Sequence, residues 1–157
     1  MTLRIRIASR KSNLAIRQVE ILKEHLSKDI EINIIEVVTS GDKTLDKSLA
    51  DIGGKGLFIK ELENTILKDG ADIAVHSMKD METELAANTK IAGVLPRGSR
   101  SDVLLGKYAT FDDLPDGAVI GTSSVRRGAF AKSYRPDLQI KLLRGNVGTR
   151  IDKLNNG

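Results

Sequence analysis

Hydrophobic patterns typical of strands and of helices alternate along this chain, and that alternation limits its possible folds more than any other feature. Apolar residues recur at every second position in residues 3–8 and again in residues 30–38, as in strands. Between them the apolar spacing is helical and follows Ser12, a residue suited to capping a helix N-terminus. A strand–helix–strand order builds mostly parallel sheets covered by helices. We therefore predict an α/β fold.

The alternation continues along the rest of the chain. We predict further strands over residues 72–76, 90–95, 103–105, 118–121 and 138–143, and helices over residues 57–68, 122–134 and 147–154. Residues 39–56 interrupt the pattern with a polar, glycine-containing loop, and loops of this length are usually functional or mobile. The turn-rich, charged residues 97–101 predict a hinge between a first domain at 1–96 and a second at 102–157.

The composition excludes several classes of site. Cysteine is absent and there are two histidines, which excludes disulfides and thiolate zinc sites within this sequence and leads us to predict no metal site. No apolar run approaches the roughly 20 residues that a membrane-spanning helix requires. Residues 1–6 alternate apolar and charged side chains and lack the apolar core of a signal peptide. We therefore expect a cytoplasmic protein without a membrane partner.

An excess of basic residues points to an anionic ligand. The net charge is +4 and the isoelectric point is about 9.4, which suits either nucleic acid or a small polyanion. Aromatic residues make up 3% of the chain and tryptophan is absent, which disfavours a protein that stacks single-stranded bases on aromatic rings. The arginines occur in short clusters beside glycine, serine and threonine, and this pattern favours the small polyanion.

The clearest anion-binding pattern follows a predicted strand. Thr122, Ser123 and Ser124 begin a predicted helix, where backbone N–H groups lack partners and the helix dipole is positive. Arg126 and Arg127 add forked cationic donors that suit carboxylate or phosphate. Helix capping explains one hydroxyl, but it does not explain three hydroxyls followed by two arginines that oppose the dipole. We therefore predict an anion site here.

Two weaker patterns of the same kind occur at other predicted strand ends. Arg144 ends a strand, Asn146 is a candidate helix cap, and Arg150 lies further along the helix. An anion site and a turn with surface arginines explain this pattern equally well. Arg10 and Gln18 lie in a similar strand-to-helix segment, where a cap with exposed basic residues is the alternative explanation.

Another segment combines three kinds of functional group. Ser77, Lys79 and Asp80 place a hydroxyl, an ammonium and a carboxylate directly after a predicted strand. The lysine could hold an anion, and the aspartate could stabilise a developing cation or move a proton. A surface Lys–Asp pair is the more common explanation of this spacing. Lys55 lies in a glycine-rich loop whose spacing does not match a nucleotide-binding P-loop, so a flexible lid fits it better.

Five motifs together resemble the porphobilinogen deaminase family. They are RIASRKS at residues 6–12, GGKGLF at 53–58, ADIAVHSMKD at 71–80, GTSSVRR at 121–127 and LRGNVGTR at 143–150. Their order and spacing agree with the family pattern over nearly the whole chain, and several long motifs in register are far more specific than any one of them. The chain departs from the family at Met81 and Glu82, where an apolar residue and a proline are usual.

The resemblance implies a fold and an activity. The fold would be of the type II periplasmic-binding-protein class, with mixed sheets, helices on both faces, and two domains that are both incomplete here. The enzyme would be a transferase, hydroxymethylbilane synthase, which joins porphobilinogen units head to tail with release of ammonia in porphyrin and heme biosynthesis. It would use a covalent dipyrromethane cofactor, whose attachment cysteine this sequence lacks. The chain alone would be inactive; the family is monomeric, although exposed sheet edges could let this chain self-associate.

The resemblance also implies roles for individual residues. Asp80 would be catalytic and would contact pyrrole nitrogens. The groups implied to bind the cofactor are Ser77, Lys79, Asp80, Thr122, Ser123, Ser124, Arg126 and Arg127. The groups implied to bind porphobilinogen and the growing chain are Arg10, Gln18, Lys55, Arg144 and Arg150.

Two other functions are compatible with the sequence. A non-catalytic anion-binding module of the periplasmic solute-binding class shares the alternating topology and an anion site at strand ends, but such a protein is normally exported. A basic nucleic-acid module is the other alternative, and the scarcity of aromatic residues weakens it.

Overall fold

A computed structural model describes residues 2–43, 56 and 58–157 of the chain. The chain divides into two compact units, Met1–Pro96 and Arg97–Gly157. The assignment of residues 97–101 as a hinge stays a prediction.

The first unit is built on a three-stranded parallel sheet. The strands are β1 at Leu3–Arg10, β2 at Ile30–Val37 and β3 at Ile73–Ala74, in the order β2-β1-β3. The central strand therefore pairs with a neighbour on each side, and Ile7 lies opposite both Ile34 and Ile73. Since all three strands run the same way, their carboxyl ends lie at one edge of the sheet.

In the described ranges three α-helices accompany this sheet: α1 at Asn13–Glu24, α2 at Ser40–Lys43 and α3 at Lys60–Leu67. Helix α1 begins where the sequence predicts, because the Ser12 hydroxyl accepts a hydrogen bond from the Ala15 backbone N–H at 3.3 Å. The predicted cap is confirmed.

The core of the first unit lies on both faces of β1. Ile7 and Ala8 are both 0% exposed, and adjacent strand residues point to opposite faces, so each face of the strand is covered. Ala8 packs with Leu62 of α3 and with Ala71. This packing fixes the central strand and hence the position of Arg10 at its carboxyl end.

The second unit is smaller and carries a two-stranded parallel sheet. Strand β4 spans Val119–Gly121 and pairs with β5 at Gln139–Lys141. Helix α4 spans Val125–Tyr134, and helix α5 spans Val147–Asn155. The Thr122 N–H donates to the Lys141 carbonyl at 2.9 Å, so the pairing continues just beyond the ends of the strands.

Two predicted strands are wrong. Residues 90–95 and 103–105 contain no strand, and Val94 and Val103 are 68% and 79% exposed. Their apolar pattern favours extended backbone, but a strand also requires a partner for its N–H and C=O groups. Two helices begin later than predicted: α3 begins at Lys60, and α4 begins at Val125 after its cap Ser124.

The structure confirms an α/β chain with parallel sheets and helices. No helix in the described ranges has both the length and the apolar character that crossing a membrane requires.

Candidate functional site

The carboxyl edge of the first sheet gathers several of the predicted site residues. Arg10 is the last residue of β1, and the segment that follows β3 leads into a short 3-10 helix at Met78–Asp80. Gln18 of α1 donates from Nε2 to the Ser77 hydroxyl at 2.8 Å. The predicted residues of α1 and of the segment after β3 are therefore in direct contact.

The 3-10 helix presents the two charged groups of this segment. The Asp80 N–H donates to the Ser77 carbonyl at 2.9 Å, which fixes the backbone of the turn. Within the described ranges, neither the Asp80 carboxylate nor the Lys79 ammonium forms a hydrogen bond or ion pair. Both groups are therefore available to a ligand.

His76 links this segment to the end of β1 electrostatically. Burial lowers its pKa below the ordinary 6.5; the Asp80 carboxylate opposes that shift and the Arg10 cation adds to it. The imidazole is thus held neutral near pH 7, within reach of one anion and one cation of the predicted site. A neutral, partly buried ring suits a packing role beside the charged groups.

The lowered pKa of His76 predicts how stability depends on pH. Because the unfolded chain binds this proton more readily than the folded chain, the contribution is fully present above about pH 6.5 and is lost as the pH falls through the folded pKa. We expect His76→Gln to flatten the dependence of the unfolding free energy on pH between about pH 7.5 and 5.5. Urea denaturation at several pH values measures it, with His25→Gln as the control; an unchanged slope in His76→Gln contradicts the prediction.

Phe58 is a contact of the site that sequence reasoning missed. It was predicted to lie on the apolar face of a helix, but the structure places it before α3, with the Arg10 guanidinium 4.2 Å from its ring centroid. A Cβ atom on Gly41 would collide with this ring, so glycine is required there. The sequence feature that could have predicted this contact is the phenylalanine itself, because aromatic residues are rare in this chain and cations stack on aromatic faces.

In the second unit, two of the three predicted hydroxyl groups are used by the loop itself. Thr122 Oγ1 accepts from the Ser124 N–H at 3.1 Å, and Ser124 Oγ accepts from the Arg127 N–H at 3.3 Å. In the described ranges the Ser123 hydroxyl makes no hydrogen bond. The loop is therefore ordered by two of the three hydroxyls.

Arg126 and Arg127 share one carboxylate. Asp102 Oδ1 accepts from Arg127 Nε at 2.9 Å and lies 2.8 Å from its Nη2, and Asp102 Oδ2 accepts from Arg126 Nη2 at 3.1 Å. The hydrogen bond from Arg127 is the main reason that the pKa of Asp102 lies below its usual range. The two guanidinium groups thus bind one carboxylate together, and that carboxylate belongs to the chain itself. The predicted role of this pair toward a ligand stays a prediction.

Arg144 and Arg150 flank the turn before α5. Arg144 is 8% exposed, and Gly145 has a φ of +117°, a conformation that glycine adopts without strain. Asn146 caps α5 by accepting from the Thr149 N–H at 2.9 Å, as predicted. Arg150 Nε donates to the Gly145 carbonyl at 2.8 Å, which ties the helix back to the turn.

The charges of three arginines act on one another in this unit. Burial lowers the pKa of Arg150, and the nearby cations of Arg127 and Arg144 lower it further. Cations close enough to lower the pKa of Arg150 are stabilised by an anion placed among them. This arrangement can bind a ligand with more than one carboxylate.

One predicted site residue, Lys55, lies outside the described residues. Among the residues that the structure does describe, no group of three histidine, cysteine or acidic side chains is placed to hold a metal ion.

Known proteins match this chain along nearly its full length. The family model described as porphobilinogen deaminase, dipyromethane cofactor binding domain, matches residues 5–157. The porphobilinogen deaminase of Buchnera aphidicola subsp. Acyrthosiphon pisum, strain Tuc7, is 46% identical over 157 residues, covering 98% of this chain and 50% of the relative. That of Maridesulfovibrio salexigens is 47% identical over 158 residues, covering 98% of this chain and 51% of the relative.

The chain thus spans about half the length of the curated relatives it matches. All of the predicted site residues lie within the range that the family model matches. The chain belongs to the porphobilinogen deaminase family.

Proposed function

We propose that this chain serves a hydroxymethylbilane synthase, which condenses porphobilinogen units head to tail and releases ammonia at each step. The observation that carries this proposal is that Arg126 and Arg127, at the N-terminus of α4, bind one carboxylate together. The cations of Arg127 and Arg144 also lower the pKa of Arg150, so further positive charge lies nearby. Each pyrrole unit brings two carboxylates, so the growing chain is a polyanion of the kind that such a group of cations binds. Membership of the deaminase family supports the same substrate.

The second unit is suited to hold a dipyrromethane cofactor through its carboxylates. Arg126 and Arg127 already bind a carboxylate together, and the Ser123 hydroxyl is an additional donor, which fits acetate and propionate groups. When bound, the dipyrromethane supplies the pyrrole to which the first porphobilinogen is joined. Thr122 and Ser124 would hold the loop in its binding conformation through their local hydrogen bonds. The sequence contains no cysteine, so it offers no thiol for a covalent link.

Asp80 would act on the reacting pyrrole. When the C–N bond of an aminomethyl group breaks and ammonia leaves, positive charge develops on the ring, and a nearby carboxylate stabilises it. A new C–C bond then forms to the next pyrrole, whose ring carbon loses a proton. The absence of any hydrogen bond to the Asp80 carboxylate within the described residues supports this role, since the group is not committed to the fold.

The remaining predicted residues would orient the incoming porphobilinogen. In the first unit, Lys79 and Arg10 supply cations for its carboxylates, and Gln18 with Ser77 supplies polar groups that already contact each other. In the second unit, Arg144 and Arg150 would serve the elongating chain, and Lys55 is proposed for the substrate on the resemblance alone. We also infer that residues 1–96 and 102–157, joined by a hinge at 97–101, are the two domains of a type II periplasmic-binding-protein-like fold, in a cytoplasmic enzyme.

Binding of a free dipyrromethane tests the carboxylate site without requiring turnover. We expect the chain to bind a synthetic dipyrromethane that carries two acetate and two propionate groups, and Arg127→Gln to weaken that binding about tenfold or more, because a hydrogen bond to a charged group contributes about 1.5–3 kcal/mol. Isothermal titration calorimetry measures the affinity.

Arg17→Gln is the matched control for this experiment. It removes the same charge from α1 of the first unit, where Arg17 pairs with Glu20 at 3.1 Å and with Glu24 at 3.3 Å and is not one of the predicted site residues. We expect its affinity to equal that of the parent chain. Equal weakening in both variants would show a general charge effect and would count against the proposed site.

A further inference from the structure

Asp102 occupies the two arginines on which the proposed carboxylate site depends. One of its oxygens faces the Nε–Nη2 edge of Arg127, at 2.9 and 2.8 Å, and the other accepts from Arg126 at 3.1 Å. The Nε–Nη2 edge is the forked edge with which an arginine binds a carboxylate most specifically. A ligand carboxylate that approaches Arg127 in its best geometry therefore meets a site that is already taken.

The segment that carries Asp102 belongs to no helix or strand. Asp102 follows the predicted hinge in a stretch without regular secondary structure. Within the described ranges its side chain contacts no hydrogen-bond donor other than the two arginines. Its only role visible in the second unit is thus to neutralise Arg126 and Arg127.

The chemistry of the contact matches that of the proposed ligand. An aspartate side chain is a methylene group bearing a carboxylate, which is the same group as the acetate substituent of a pyrrole unit. The three side chains are 41–61% exposed, and ion pairs at such positions are weak and exchange with solvent and solutes. An incoming carboxylate can therefore replace Asp102 without leaving a buried charge behind.

We propose that Asp102 is an internal stand-in for a ligand carboxylate, which keeps Arg126 and Arg127 paired when no ligand is bound and competes with the ligand for them. This inference rests on the proposed function, because it concerns the same site. Asp102 thus influences the affinity for polycarboxylate pyrroles, because a ligand that binds the two arginines must first displace the Asp102 carboxylate.

Charge-removing and charge-keeping variants separate competition from a structural role. In the intact chain, Asp102→Asn and Asp102→Ala are expected to bind the same synthetic dipyrromethane about threefold to tenfold more tightly than the parent, since each displaced ion pair is weak. Asp102→Glu keeps the carboxylate and is expected to stay near the parent affinity. Asp116→Asn is the control: it removes the same charge from the same unit, at a fully exposed side chain that pairs with Arg135.

Each result of this titration decides the matter. Tighter binding in the Asn and Ala variants, with Asp116→Asn unchanged, supports the competition; so does binding that is detectable only in those variants. Equal or weaker binding in the Asn and Ala variants overturns it, while the proposed function stands if Arg127→Gln still loses affinity. If neither the parent nor any variant binds the dipyrromethane, both the proposed function and the inference are wrong. Circular dichroism of each variant checks that its secondary structure matches that of the parent.

Discussion

Asp80→Asn is expected to lower the turnover of porphobilinogen about 10²- to 10⁴-fold in a full-length deaminase that carries this sequence, the range typical of a lost catalytic acid–base or electrostatic group. The substitution keeps the size of the side chain and removes its negative charge, so positive charge on the reacting pyrrole loses its stabilising partner. Substrate binding should change little, because the proposed partners of the porphobilinogen carboxylates are cations at other positions. Steady-state rates of hydroxymethylbilane formation measure kcat and KM separately.

Asp80→Glu is the conservative counterpart. It restores the charge at a slightly different position, and we expect it to recover part of the lost turnover. If the asparagine variant retained turnover within about threefold of the parent, the role of Asp80 as the stabilising charge would be wrong, since that charge is asked to supply several kcal/mol at the transition state.

The second large effect concerns the core that fixes the first site. Leu62 is 0% exposed and packs with Ala8 of β1 and with Ala71. We expect Leu62→Ala to reduce the free energy of unfolding by about 2–5 kcal/mol, because it removes buried methyl groups and leaves a cavity. Leu67, at the end of the same helix, is 47% exposed, so Leu67→Ala is the control and should cost far less. Urea denaturation followed by circular dichroism measures both, and equal losses in the two variants would contradict this view of the core.

Much of the local structure could be predicted because local rules decide it. The caps at Ser12 and Asn146 were confirmed, since a side-chain oxygen that accepts from a backbone N–H three residues later needs no distant partner. The alternation of strands and helices was confirmed because it too depends on a local feature, the spacing of apolar residues within short segments. The predicted strands at 90–95 and 103–105 failed, because an apolar alternation does not reveal whether another strand is available to pair with them.

In the candidate site too, some features could be predicted from the sequence and others required the structure. The roles assigned to Asp80, Arg126 and Arg127 came from their motifs and stay proposals, whereas the structure shows what surrounds these residues. The contact of Arg10 with Phe58, 48 residues away by number, could not be derived from either segment alone. The same holds for Asp102 and Arg127, which lie 25 residues apart in the sequence.

By itself, the sequence determined the α/β class, the helix caps, the family and the clusters of cationic and hydroxyl groups at strand ends. Those features depend on residue type and on spacing within a few turns of chain, where backbone geometry is nearly fixed. Only the tertiary structure decided which charges meet: that Asp102 lies on Arg126 and Arg127, and that Arg127 and Arg144 act on Arg150. Electrostatic interactions depend on distances between atoms that the folded backbone brings together, and no local pattern records those distances.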